Sequence, residues 1–169
     1  MIKIFVADPD GVVEIDAVTL EGACLDGLYL HRAELENAAM AGVSLNKTDL
    51  RGAFLMGATL DDCHMSEGSL IVAALIGGSL KRAVIKRSRL IGAQFNNADL
   101  SSADLSGSDA HGADFTGANL SNVNFNNTDL RGACLKCHEM GGATFAAAIY
   151  DSETKWPNRV APKGAVEEE

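Results

Sequence analysis

The chain of 169 residues has few aromatic side chains (5%), three prolines and four cysteines. It lacks any unbroken run of about 18 apolar residues, the length that spans a bilayer, so we expect no membrane insertion. A secretory signal is missing too, which makes a disulfide framework unexpected and favours a cytoplasmic protein. The formal net charge of −9 argues against a surface that binds nucleic acid directly through its phosphates.

What the sequence does have is a short period. Every fifth residue from Leu20 to Tyr150 is apolar, with alanine or another small residue usually two positions earlier and glycine or asparagine often two positions later. A period of five fits neither a helix nor an open strand. The large and the small residue share one side of a short extended segment, and glycine or asparagine permits the positive φ of a tight turn.

Several of these segments resemble one family closely. The sequence reads Ala-Asp-Leu at 98–100 and 103–105, Ala-Asp-Phe at 113–115 and Ala-Asn-Leu at 118–120, which resembles the pentapeptide-repeat family over roughly residues 11–150. The resemblance implies an all-β fold, the right-handed quadrilateral β-helix, with four pentapeptides in each coil and inward-pointing large and small residues. About seven coils, capped at both ends, are expected.

The same resemblance suggests how the chain is divided. Residues 1–150 are predicted to form a single β-helix with its N-terminal cap, and residues 151–169 a capping extension followed by an acidic tail. We expect Trp156 to fold over the last coil and residues 162–169 to be disordered.

In such a coil, residues i and i+20 lie directly above one another, so the outer surface can be mapped. The map predicts one apolar patch on positions that face outward, comprising Phe54, Met56, Ile71, Val72, Ile76 and Ile91. A patch of this kind normally marks a partner surface. Homodimerisation is our favoured interpretation, with a different protein partner or a covering tail as alternatives.

Charged residues also form two groups on this map. A basic belt runs through residues 81–89, and each of its cations except Lys86 has an acidic residue in the same column, which favours surface ion pairs over a phosphate site. Acidic residues on all four faces form a predicted collar of uncompensated carboxylates, comprising Asp99, Asp104, Asp109, Asp114 and Asp129.

The family resemblance implies an alternative function, with which the acidic collar is compatible. Some pentapeptide-repeat proteins resemble B-form DNA in width and charge and bind type II topoisomerases such as gyrase, which they inhibit or protect from quinolones. The basic belt interrupts the acidic surface midway, so this alternative ranks below a protein-interaction scaffold.

One short motif could carry chemistry. Cys134, Cys137 and His138 match the C-x-x-C-H pattern of c-type haem attachment. The motif lies inside the repeat, where Cys134 should point outward and His138 should take a partly buried inward site, so we expect no cofactor, with redox or metal chemistry as a minor alternative. Since the sequence holds no phosphate loop or hydrolase elbow, we predict a non-catalytic protein–protein interaction scaffold rather than an enzyme.

Overall fold

A computed structural model describes residues 1–6 and 11–168 of the chain. Its backbone is a ladder of parallel bridges, in which every fifth residue pairs with the one twenty positions later, from Cys24 with Ser44 to Asp129 with Ile149. The ladder confirms the predicted stacking of one coil on the next. None of the described residues forms a helix long and apolar enough to cross a bilayer.

The core is formed by the five-residue period. Every fifth residue from Leu25 to Leu135 is at most 4% exposed, which confirms the predicted register. Aromatic side chains stack along the axis in the later coils, with the rings of Phe95 and Phe115 5.0 Å apart and nearly parallel. The interior is therefore filled by the large side chains of the period.

The turns adopt the backbone conformation that glycine and asparagine predict. Asn97 has a φ of 57° and Gly112 a φ of 64°, both in the left-handed region. Other residue types take the same conformation at equivalent positions, Arg32 with a φ of 53° and Val72 with a φ of 51° among them. The coil geometry therefore overrides local preference wherever the sequence offers a less suitable residue.

A column of buried hydroxyl groups runs along one corner of the coil, a feature that the sequence analysis missed. Thr48 donates a hydrogen bond of 2.9 Å to the main-chain oxygen of Leu25, 23 residues earlier. The same bond recurs at Ser88, Ser108 and Thr128, and Gly68 interrupts the column. The Met65 and Ile85 carbonyl groups gain a partner in this way, whereas those of Leu25 and Leu105 also accept the amides of Leu28 and Ser108.

The first coil is joined to a hairpin. Strands β1 (Ile2–Phe5) and β2 (Val12–Ile15) pair antiparallel, with Ile2 opposite Ile15. Ile4 is 2% exposed, and the main-chain oxygen of Phe5 accepts a hydrogen bond of 2.9 Å from the Glu34 amide. The hairpin thus packs onto the core and extends the ladder by one bond.

The last coil is followed by a second pair of strands. β3 (Ile149–Tyr150) pairs in parallel with β4 (Val166–Glu167). Trp156 is 6% exposed, and its ring lies 5.6 Å from that of Phe145. The order of β4 differs from the disorder expected for residues 162–169, because pairing with β3 is a long-range contact that the polar composition of the tail does not reveal.

Candidate protein-docking site

The six residues of the predicted apolar patch lie together around one corner of the rod. Phe54 is the ladder partner of Ala74, and Ala74 is in turn the partner of Gln94, so these positions form one column. Val72 is 58% and Ile76 is 37% exposed, and the remaining four side chains are half-buried. We call this surface, formed by Phe54, Met56, Ile71, Val72, Ile76 and Ile91, the apolar wall.

Val72 has an unusual backbone conformation within the wall. Its φ of 51° is in the left-handed region, where a β-branched side chain is strained by its own backbone. Gly92 lies one coil above it, and a Cβ atom at Gly92 would come within 3.3 Å of Val72 Cγ1. A strained, exposed apolar side chain at a turn that glycine or asparagine usually occupies points to a role outside the fold itself.

Polar residues flank the wall on the side of the rod that carries Phe54 and Met56. Glu34 and Glu36 lie one coil below and are exposed, and Gln94 lies one coil above Ala74 and is also exposed. Within the part of the chain that the structure describes, no ion pair involves either glutamate. These flanking residues were not predicted as part of the site, although each lies twenty residues before or after a residue on this side of the rod.

The basic belt forms two of the four ion pairs predicted within its columns. Arg82 lies 2.6 Å from Asp62 and Arg87 lies 2.9 Å from Glu67, each pair joining adjacent coils. These contacts confirm the prediction of surface ion pairs at the two arginines. They leave little free positive charge here for a phosphate group.

Three details of the belt were predicted wrongly. Lys81 forms its ion pair with Asp99 on the next coil rather than with Asp61 in its own column. Lys86 does have an acidic partner, since its Nζ lies 2.8 Å from the Asp104 carboxylate on the next coil. Arg89 and Asp109 are ladder partners, yet no ion pair joins them in the described structure. A lysine side chain is long enough to reach diagonally between columns, whereas the column rule considers only residues directly above and below.

The acidic collar is largely compensated, contrary to the sequence prediction. Asp99 lies 3.6 Å from Lys81, and both Asp104 and Asp129 also form ion pairs. Each collar aspartate in addition accepts the main-chain amide two residues on, a bond made by Asp99, Asp104, Asp109, Asp114 and Asp129. The collar therefore closes turns and neutralises neighbouring cations.

The ionisation of these aspartates reflects the same contacts. Hydrogen bonds from Arg131 lower the pKa of Asp129 below its usual range. Partial burial would raise the pKa of Asp104, but the Lys86 ion pair and hydrogen bonds from Ser106 outweigh it and lower the pKa overall. Both carboxylates are held in the charged form by partners within the fold.

The Cys134-x-x-Cys137-His138 motif lies at a local irregularity. Cys134 is half-buried with its Sγ 3.2 Å from the Thr116 hydroxyl, and burial raises the pKa of the partly buried Cys137. His138 is exposed, so its predicted inward site is wrong. Its amide donates to Ala118 O, a bond that the following residue makes in a regular repeat. No group of three ligands suited to a metal ion occurs among the described residues.

A comparison with models of protein families agrees with the five-residue period and the fold. The model described as pentapeptide repeats matches in eight overlapping copies over residues 16–52, 40–71, 69–101, 79–117, 98–136 and 111–145. The chain belongs to the pentapeptide-repeat family. This family is generally non-catalytic. No curated protein matches the sequence at a significant level.

Solved structures of the family support the β-helix fold. HetL of Nostoc sp. strain PCC 7120, a protein involved in the regulation of heterocyst differentiation, is 25% identical over 86% of this chain, with a TM-score of 0.69. The match covers 64% of HetL, just under two thirds of its length. A thylakoid-lumen protein of Arabidopsis thaliana is 34% identical over 60% of this chain and 68% of its own, with a TM-score of 0.50.

A third structure shares the fold at lower identity. QnrB1, a plasmid-mediated fluoroquinolone resistance protein, is 15% identical over 91% of this chain and 86% of its own, with a TM-score of 0.51. At this identity the likeness shows the fold alone.

Proposed function

We propose that this pentapeptide-repeat protein is a non-catalytic interaction scaffold. In this proposal it is a right-handed rod of about seven coils, capped at both ends, that docks a protein on the apolar wall. The observation that carries the proposal is the wall itself, in which Val72 and Ile76 are exposed beside four half-buried apolar residues. Contiguous apolar surface of this kind is typical of partner interfaces.

The rest of the described surface supports the same function. Residues of the belt and collar are engaged in ion pairs and turn closure, so neither region offers a partner a large free charge. A rigid ladder also holds the docking side chains at a fixed spacing of about 4.8 Å, so little conformational entropy is lost on binding. The proposal includes neither a cofactor, nor direct contact with nucleic acid, nor a membrane.

The test is the substitution Ile76→Glu, which places a charge in the centre of the wall. We expect it to abolish association while the circular dichroism of the β-helix is retained, because the side chain lies outside the core. A matched control is His64→Glu, an exposed position half a coil away on the opposite side of the rod. Light scattering gives the mass of the purified protein, and affinity recovery reports other partners. An unchanged mass together with unchanged recovery would contradict the proposal.

The alternative, a DNA-mimicking modulator or protector of a type II topoisomerase, stays a prediction. The net charge of −9 is compatible with it, whereas the ion pairs at Asp99, Asp104 and Asp129 reduce the free negative charge that mimicry needs. A gyrase supercoiling titration with and without a fluoroquinolone tests it. Inhibition or drug protection, lost on neutralising Asp109 and Asp114, would favour this alternative over the scaffold.

A further inference from the structure

On the side of the rod that carries Phe54 and Met56, the order of large, small, acidic and amide side chains is complementary to the same order read in the opposite direction along the rod. This docking side consists of four stacked segments, residues 34–37, 54–57, 74–77 and 94–97, joined by the parallel ladder. Suppose that a second copy packs on this side with its rod axis antiparallel, about a two-fold axis that lies between segments 54–57 and 74–77. Segment 54–57 of one copy then meets segment 74–77 of the other. Segment 34–37 then meets 94–97.

The bulk of the side chains is complementary in this arrangement. The large ring of Phe54 faces the small side chain of Ala74 of the second copy. At the neighbouring corner, the exposed Val72 faces Gly52, which has no side chain. A self-complementary interface requires that large side chains of each copy pack against small side chains of the other.

The polar flanks are complementary as well. Glu34 and Glu36 accept hydrogen bonds only, and in this arrangement they face Gln94 and Asn96, whose amide groups can donate them. A parallel two-fold arrangement on the same side would instead place Glu34 against Glu36 of the second copy. Two like charges at an interface disfavour that alternative.

We propose that the apolar wall binds a second copy of this chain in the antiparallel arrangement, with Glu34 and Glu36 of one copy facing Gln94 and Asn96 of the other. This inference rests on the proposed function, since it names the protein that docks on the wall. The exposed Val72 then lies against Gly52 of the facing copy, beside the Arg32 side chain that covers part of that glycine.

The test uses opposite charges at one position. Gln94 is exposed and makes no side-chain hydrogen bond among the described residues, so its substitution should not disturb the fold. Gln94→Lys faces Glu34 of the second copy, and we expect the dimer dissociation constant to fall roughly three- to tenfold, since the two-fold axis creates the pair twice. Gln94→Glu should raise the constant by a similar factor. Both effects should shrink at high salt.

Sedimentation velocity over a range of concentrations measures these constants, with circular dichroism as the check on folding. His64→Lys, on the opposite side of the rod, is the matched control and should leave the constant unchanged. A shift in the same direction for both charges at position 94, or none for either, would overturn the antiparallel arrangement, as would a wild-type protein that stays monomeric at millimolar concentration. If the wild type is monomeric but Ile76→Glu loses a recovered partner, the proposed function stands and this inference falls.

Discussion

Lys86 and Asp104 form an ion pair between adjacent coils, with Lys86 Nζ 2.8 Å from the carboxylate. The pair links the basic belt to the acidic collar, two regions that the sequence presents as separate. Lys81 and Asp99 repeat the contact one side of the coil earlier, at 3.6 Å. The belt and the collar are therefore joined through these two ion pairs.

Removing Lys86 should expose this coupling. Lys86→Gln is expected to raise the pKa of Asp104, because the lysine helps to hold the carboxylate in its charged form. The free energy of unfolding should change by no more than about 1 kcal/mol, since the pair is partly solvated. Carboxyl titration by NMR measures the pKa. Lys136→Gln is the control, because Lys136 is exposed and forms no ion pair in the described structure; an unmoved Asp104 would contradict the prediction.

The inward register predicts the effect of a core truncation. Leu75 is fully buried, so Leu75→Ala should lower the free energy of unfolding by about 2–5 kcal/mol through lost transfer energy and a residual cavity. Ile76→Ala, one residue along but on the outside, should cost less than about 1 kcal/mol in the monomer. Chemical denaturation followed by circular dichroism compares the two. Equal losses at both positions would mean that the inward and outward positions are misassigned.

Much of this architecture is predictable from the sequence, because the period of five marks the large residues and the family resemblance supplies the four-sided coil that buries them. Leu75 could be placed in the core and Ile76 on the surface from the period alone. The period does not encode contacts between distant segments. Such contacts determine the diagonal ion pair of Lys86, the exposure of His138 and the pairing of Val166 with Ile149. The members of the apolar wall could be predicted by stacking residues i and i+20, whereas the strain at Val72 is visible only in its backbone φ angle.

That strain predicts a substitution that helps the fold and harms docking. Val72→Gly should raise the free energy of unfolding by roughly 0.5–1 kcal/mol, because relief of a left-handed penalty of about 1–2 kcal/mol exceeds the extra chain entropy of glycine. The same change removes the most exposed part of the wall, so association should weaken. Val72→Asn should behave likewise, since asparagine occupies equivalent turns such as Asn97.

Urea unfolding and sedimentation velocity measure the two effects of the Val72 substitutions separately. Val84→Asn is the control for association, because Val84 lies half a coil from Ala74 on the opposite side of the rod. It should leave the dimer constant unchanged. A Val72→Gly protein that is less stable, yet associates as tightly as the wild type, would show that Val72 serves the fold rather than the docking surface.

The lowered pKa values of the aspartates predict loss of stability in acid. The pKa values of Asp49 and Asp129 are lowered chiefly by hydrogen bonds from Arg51 and Arg131, and that of Asp104 by Lys86 despite its burial. A carboxyl group whose pKa is lower in the folded than in the unfolded state stabilises the fold fully above its unfolded pKa, about 3.9 for aspartate. That contribution disappears as the pH falls through the folded value.

We therefore expect the free energy of unfolding to hold between pH 7 and about 5 and to decline steadily below about pH 4.5. Urea denaturation at a series of pH values measures the decline. In Asp129→Asn the group that titrates is absent, so its curve should start lower at neutral pH and fall less steeply in acid. A wild-type curve that stays flat down to pH values well below the unfolded aspartate pKa, or one parallel to that of Asp129→Asn, would mean that these ion pairs do not couple to folding.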